Sequence, residues 1–239
     1  MTAAEAQPDQ RARQAAATRA LDELEPGTDI GLGSGRAVWA VLDAMTARWG
    51  DEIPFRIATA SARTQELAVS AGVEVLEFTG QELAVVVDGA DEVDPQLGLI
   101  KGGGGALLRE KLLARAGRRL VIVAETPKRV ERLGATHRLP VDVMPYGWEA
   151  TARAVGKVVD DPVLRRTAEG AVYATTDAHA ILDCVLPPDR DLVELGRALK
   201  AITGVTEHGL FLGMTQLVLL GRDDGRVESL TPDAAGADR

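Results

Sequence analysis

Two stretches of this 239-residue chain concentrate groups able to move protons. In the first, Asp88-Gly89-Ala90-Asp91-Glu92 follows the apolar run LAVVV, so three carboxylates gather where a buried strand should emerge. Acids crowded at a strand end repel one another, a strain that sites exploit, although Asp and Gly are also ordinary residues of a solvated turn. Ten residues beyond Asp91 comes Lys101, then the four glycines Gly102, Gly103, Gly104 and Gly105, then a helical segment carrying Arg109 and Glu110. Four successive glycines cost backbone entropy, so the loop either serves as a hinge or gains from close backbone approach to a ligand. With a lysine at its entrance, a carboxylate one turn into the next helix and acids just before it, the segment supplies a base, a cation for an oxyanion and acids for hydroxyl protons.

A third stretch offers a place for an anion. Gly31-Leu32-Gly33-Ser34-Gly35 lies between a short strand and a helix, where glycines let amides approach a ligand and a helix N-terminus favours negative charge. It lacks the third glycine of a dinucleotide fingerprint and the Lys-Ser/Thr pair of a nucleoside-triphosphate loop. A phosphate hollow and a plain strand-to-helix turn both fit. Arg36 either points a guanidinium into that hollow or lies on the surface.

The elements that must position these groups follow from periodicity. Residues 11–24 have helical composition and stop at Pro26-Gly27. After Gly35, Val38, Val41, Leu42 and Met45 recur at helical spacing and should face a sheet. Strands are expected at 55–60, 73–78, 83–88 and 118–126, with helices at 64–72 and 106–117 between them. This alternation predicts an α/β fold with a mostly parallel sheet, helices on both faces and ligands at the carboxyl ends of the strands. Near residue 134 the segment GATHRLPVDVMP breaks the pattern, so residues 135–204 read as a small α+β module, with 1–134 and 205–230 forming the larger one. Residues 231–239 should be a disordered tail.

Composition narrows the ligand. With 36 acidic against 27 basic residues the net charge is −9, which disfavours nucleic acid and anionic membranes. Aromatics are only 3% of residues, too few for base-stacking platforms. The first thirty residues carry no apolar stretch of signal-peptide or membrane length, so a cytoplasmic protein is expected. One cysteine, Cys184, fits a reducing compartment and a core position, and three scattered histidines, His137, His179 and His208, show no metal-ligand pattern. Trp39 and Trp49 read as packing residues. No metal and no organic cofactor is expected, and the partner should be a small molecule.

VDGADEVDPQLGLIKGGGGALLREKLLA resembles the signature of the type A ribose-5-phosphate isomerases, and the likeness extends through LEPGTDIGLGSG, TASARTQELAVSAGVEV, VIVAETPKRVERLG with RLPVDVMP, and ALKAITGVTEHGLF. The resemblance implies a Rossmann-like domain with a smaller lid domain, a homodimer, and cofactor-free interconversion of ribose 5-phosphate and ribulose 5-phosphate. It further implies Glu110 as the base shuttling a proton between C2 and C1, Lys101 as oxyanion stabiliser, and Asp88 and Asp91 as contacts to the sugar hydroxyls that assist ring opening. Gly102 and Gly103 would line the substrate, and Lys128 would stand near the phosphate.

The phosphate end departs from that family. Where the usual loop reads Gly-Thr-Gly-Ser-Thr, this chain has Gly33-Ser34-Gly35-Arg36-Ala37, keeping one hydroxyl and losing two. The family's first-helix lysine corresponds to Arg13, and Thr59-Ala60-Ser61-Ala62-Arg63 replaces a serine-rich stretch. Arg13, Arg36 and Lys128 would offer that end up to three cations. The alternatives are a pocket remodelled for a pentose modified at C5, a sugar-phosphate-binding protein without turnover, and a coenzyme-A transferase of similar fold.

Overall fold

The computed structural model describes residues 3–232, with side chains from residue 9 onward, so all but the first two residues of the expected tail lie outside the described residues. In chain order the elements are α1 (Ala3–Ala20), β1 (Asp29–Leu32), α2 (Arg36–Trp49), β2 (Arg56–Thr59), α3 (Ala62–Ser70), β3 (Glu74–Val75) and β4 (Val85–Asp88). Then come β5 (Glu92–Val93), β6 (Leu99–Ile100), α4 (Leu107–Ala116), β7 (Leu120–Glu125), β8 (Leu139–Val143), α5 (Trp148–Val155), β9 (Asp160–Leu164) and β10 (Ala180–Val185). The last are α6 (Leu192–Lys200), β11 (Val205–His208), β12 (Leu210–Phe211), β13 (Leu217–Gly221) and β14 (Val227–Leu230).

Contacts divide the chain into two units. The first takes the residues up to Ala90, Arg109–Arg129 and Gly213 onward; the second takes Asp91–Leu108 and Val130–Leu212.

The first unit is a seven-stranded sheet in the order β14-β13-β7-β4-β1-β2-β3. Every neighbouring pair is parallel except β13 with β14. Continuous apolar runs mark strands covered on both faces, and β4 and β7 are buried at every position. The expected face of α2 is the one that packs: Val38, Val41, Leu42 and Met45 are all buried. Trp49 meets Phe55 edge to face at 5.2 Å, and Trp39 donates its indole N–H to Thr64 at 3.3 Å, so both tryptophans pack as expected. From β1 the chain moves one way to β2 and β3, then returns to place β4 on β1's other side. This reversal leaves a crevice beyond the carboxyl ends of β1 and β4.

The second unit holds a four-stranded antiparallel sheet, β11-β8-β10-β9, and a three-stranded one, β12-β6-β5. Leu139, Val141 and Val143 of β8 alternate into a core shared with Leu195 and Leu199 of α6 and with Cys184. Burial pushes the Cys184 thiol up to about 12, an inert core residue. The strand β9, opening with Asp160-Asp161-Pro162, was not foreseen; it lies at a sheet edge, where a proline without an N–H is tolerated.

These pairings correct the sequence-based boundaries at 134 and 205. Residues 91–108 belong with the second unit because β5 and β6 pair with β12. Residues 205–212 stay there because β11 pairs with β8 and β12 with β6, and the chain returns to the parallel sheet with LVLLG, as β13.

Within the second unit, Glu92 ties β5 to the loop at residues 134–137. Its fully buried carboxylate accepts hydrogen bonds from Gly134 N at 2.6 Å, Thr136 N at 2.5 Å, Thr136 Oγ1 at 2.7 Å and His137 N at 2.7 Å. Burial pushes its pKa up, but the four donors outweigh this and hold it below the ordinary 4.5. Because the folded pKa is depressed, the stabilisation is complete above the unfolded value and is lost as pH falls through the folded one. Glu92→Gln, which turns an NH₂ toward those donors, should cost about 2–4 kcal/mol at pH 7. In urea unfolding the gap between the two proteins should narrow as the pH is lowered below 4.5; a gap independent of pH would show that the carboxylate charge is not what holds this loop.

Candidate active site

In the first unit, Asp88 and the glycine loop sit at the crevice beyond β1 and β4. Asp88 ends β4 with no solvent exposure, and its Oδ1 accepts from Ser34 N at 3.2 Å and Gly89 N at 2.8 Å. A Cβ at position 33 would overlap this carboxylate, so glycine is required there to let the acid lie against the loop. Gly35 then turns the chain with φ +90° into α2, whose N-terminal amides open beside the same loop. Glu110 lies in the first turn of α4 and is buried at 4% exposure. The glycine loop is thus a built support for Asp88, more than a simple turn.

The cations of this unit are placed differently from one another. Arg36 is exposed at the start of α2, and Lys128 is half-buried in the short 3₁₀ turn after β7. Arg13 was expected to be an open cation; instead its guanidinium grips Glu125, with Nε 2.6 Å from Oε1. Both partners are largely shielded, at 13% and 11% side-chain exposure. Arg13 and Arg36 line one pocket of about 300 Å³ together with Gln14, Trp39, Asp9 and Asp43, whereas Lys128 is not among its lining residues. Two acids, Asp9 and Asp43, share that pocket with the arginines.

In the second unit, Lys101 follows β6 and is 3% exposed, with its ammonium 5.4 Å from the centre of the Phe211 ring. Its backbone N–H is bound to Gly209 O at 2.9 Å. The Asp91 carboxylate accepts from Gly103 N at 2.7 Å. The glycine run is no loose hinge: Arg165 donates to the carbonyls of Gly102 and Gly103, both at 3.0 Å, and Tyr173 Oη donates to Gly104 O at 3.0 Å. Glu92, grouped with the other acids by sequence, turns away to its own loop as described above.

Sequence reasoning missed Glu125, Arg165, Tyr173 and Asp183. Glu125 carried a signal, an acid closing the all-apolar run LVIVA, the same pattern that drew attention to Asp88. The histidines find partners within the protein, His179 Nδ1 lying 2.7 Å from Asp142 Oδ1. Among the described residues no group of three or more His, Cys, Asp or Glu is placed to hold a metal ion, and no helix is long and apolar enough to cross a membrane.

The model of the family ribose 5-phosphate isomerase A (phosphoriboisomerase A) matches residues 56–225. The chain belongs to the ribose-5-phosphate isomerase A family. It is 42% identical over 226 residues to a ribose-5-phosphate isomerase A of Roseiflexus castenholzii, covering 93% of this chain and 97% of that one. A Synechococcus relative of the same name is 39% identical, with 91% and 96% covered. Among solved structures, ribose 5-phosphate isomerase from Plasmodium falciparum superposes with a TM-score of 0.87 at 30% identity, over 94% of this chain and 99% of that chain. For this family member, the fold is therefore the mostly parallel α/β sheet expected from sequence, accompanied by a separate antiparallel sheet region.

Proposed function

We propose that this chain interconverts ribose 5-phosphate and ribulose 5-phosphate by proton transfer through an enediolate. The observation that carries the reading is the burial of Glu110 and Lys101, at 4% and 3% exposure, in a chain of this family. Charged side chains are rarely so buried unless a partner or a reaction uses them. In the open-chain aldose, the Glu110 carboxylate takes the proton from C2, and negative charge develops on O1. Lys101 stabilises that oxyanion. The Glu110 carboxyl returns the proton to C1 as the C2 hydroxyl loses its own and becomes the ketone, while O1 gains one. The exchange is redox-neutral within one carbon skeleton and calls for no cofactor. Asp88 and Asp91 serve the earlier step, holding sugar hydroxyls and moving the proton that opens the furanose.

At the far end, Ser34, Gly35 and Arg36 at the start of α2, with Lys128, take the phosphate; Arg13 acts through Glu125 rather than as an open charge. This reading brings with it a cytoplasmic enzyme of the pentose phosphate pathway acting as a homodimer. Chelator-treated protein given ribose 5-phosphate should form ketose, and unphosphorylated ribose should turn over at least about 100-fold less efficiently, since remote binding energy drives catalysis at the reacting carbons. Turnover of a C5-modified pentose in preference to the phosphate would favour the second reading, which rests on Arg36 and Ala37 in the loop.

A further inference from the structure

The glycine run Gly102 to Gly105, exposed at Gly103 and Gly104 and buried at its two ends, has one defined shape. Gly102 and Gly105 have φ of +102° and +84°, and Gly105 N closes a turn onto Gly102 O at 2.9 Å. The carbonyls of Gly102, Gly103 and Gly104 are all gripped by side chains of one neighbouring hairpin, the first two by Arg165 Nη1 and the third by Tyr173 Oη. Arg165 is itself fixed: its Nε and Nη2 form a fork on Asp183, at 2.8 and 2.5 Å, and its guanidinium lies 5.7 Å from the centre of the Tyr173 ring. Tyr173 N is bound to Arg165 O at 3.0 Å, which locks the two residues to each other. A Cβ at Gly105 would overlap the Tyr173 ring, so the loop and the ring are fitted to one another.

In a trans peptide the C=O and the following N–H point in opposite directions. No peptide bond here is cis, so holding the Gly102 carbonyl on Arg165 turns the Gly103 N–H the other way, where it meets Asp91 Oδ2 at 2.7 Å. One peptide group is thus held at both ends, by Arg165 and by Asp91. Glycine adopts either peptide orientation readily, and without the clamp nothing intrinsic to the run would select this one.

We propose that Arg165, with Tyr173 and Asp183, is a positioning device that orients the Asp91 carboxylate through the Gly102–Gly103 peptide, and that it contributes to turnover only by way of Asp91. The proposal rests on the isomerase reading above for the role of Asp91, but the clamp itself does not. Arg165→Gln should lower kcat for ribose 5-phosphate by about 10- to 100-fold with KM changed by less than about threefold, since small misplacements of a reacting group act mainly on the chemical step. Tyr173→Phe keeps the ring against Gly105 and the Arg165–Asp183 fork, and should cost about 3- to 10-fold; it guards against a misfolded Arg165 variant. In an Asp91→Ala background both effects should shrink to less than about twofold, because residues acting through one group are not additive. Equal losses with and without Asp91, or an unchanged kcat, would overturn the proposal.

Amide hydrogen exchange supplies a readout that needs no turnover. The amides of Gly103 and Gly105 should exchange at least about tenfold faster in folded Arg165→Gln than in the parent. If they do while the parent fails to isomerise the sugar, the clamp stands and the substrate reading falls; if they do not, the clamp falls whatever the activity.

Discussion

Glu110→Gln should lower kcat by about 10²- to 10⁴-fold, the range over which a positioned base contributes to proton transfer. Glutamine has nearly the shape of glutamate and stays in the first turn of α4, but it has no lone pair basic enough to take a proton from carbon. KM should move little, since the proton is transferred only in the chemical step. A parallel measurement with C2-deuterated substrate sharpens the test: the parent should release or relocate the label, and the variant should retain it. If the variant turns over within about threefold of the parent, the base lies elsewhere and the central assignment fails.

Lys101→Met should cost about 10²- to 10³-fold in kcat, comparable to removing one donor from an oxyanion hole. Methionine keeps an unbranched stem and removes the charged head that lies 5.4 Å from the centre of the Phe211 ring. In the proposed mechanism the charge that Lys101 meets exists on O1 in the enediolate and hardly at all in the bound aldose, so the loss should fall on kcat and leave KM nearly unchanged. A rise in KM alone at constant kcat would make Lys101 a ground-state binder of substrate and remove its role at the oxyanion.

How far these residues were legible in the sequence depends on whether their signal is local. Asp88 announced itself because an acid at the end of LAVVV violates the pattern of a buried strand, and Val38, Val41, Leu42 and Met45 predicted their own packed face through spacing alone. Glu110 and Lys101 stood out by the company of a glycine run. Arg13 was read as an open cation because its partner, Glu125, is 112 residues away; nothing near position 13 records it. Arg165 is likewise 63 residues from Gly102, and an arginine just past the end of a short strand has no distinguishing context. Glu92 shows the converse error, since proximity to Asp88 and Asp91 along the chain hid a carboxylate whose work is to hold residues 134–137. The module boundary drifted for the same reason, since whether 205–208 joins one sheet or another is decided by pairing with β8, a contact with no local sequence mark.

The fit between Gly33 and Asp88 also constrains how such a loop can diverge. The acid occupies the volume that any side chain at position 33 would need, so neither position can change first without loss: a larger residue at 33 displaces the carboxylate, and a displaced carboxylate abandons the amides of Ser34 and Gly89. No comparable lock holds Arg36, which is exposed. Drift is therefore channelled to the far end of the loop. That is the end where the sequence departs from the wording its resemblance led us to expect, with Arg36 and Ala37 where two hydroxyl residues were expected and Gly33 kept. The Gly33 end of the loop is fixed by its fit to Asp88, and the exposed Arg36 end is open to substitution.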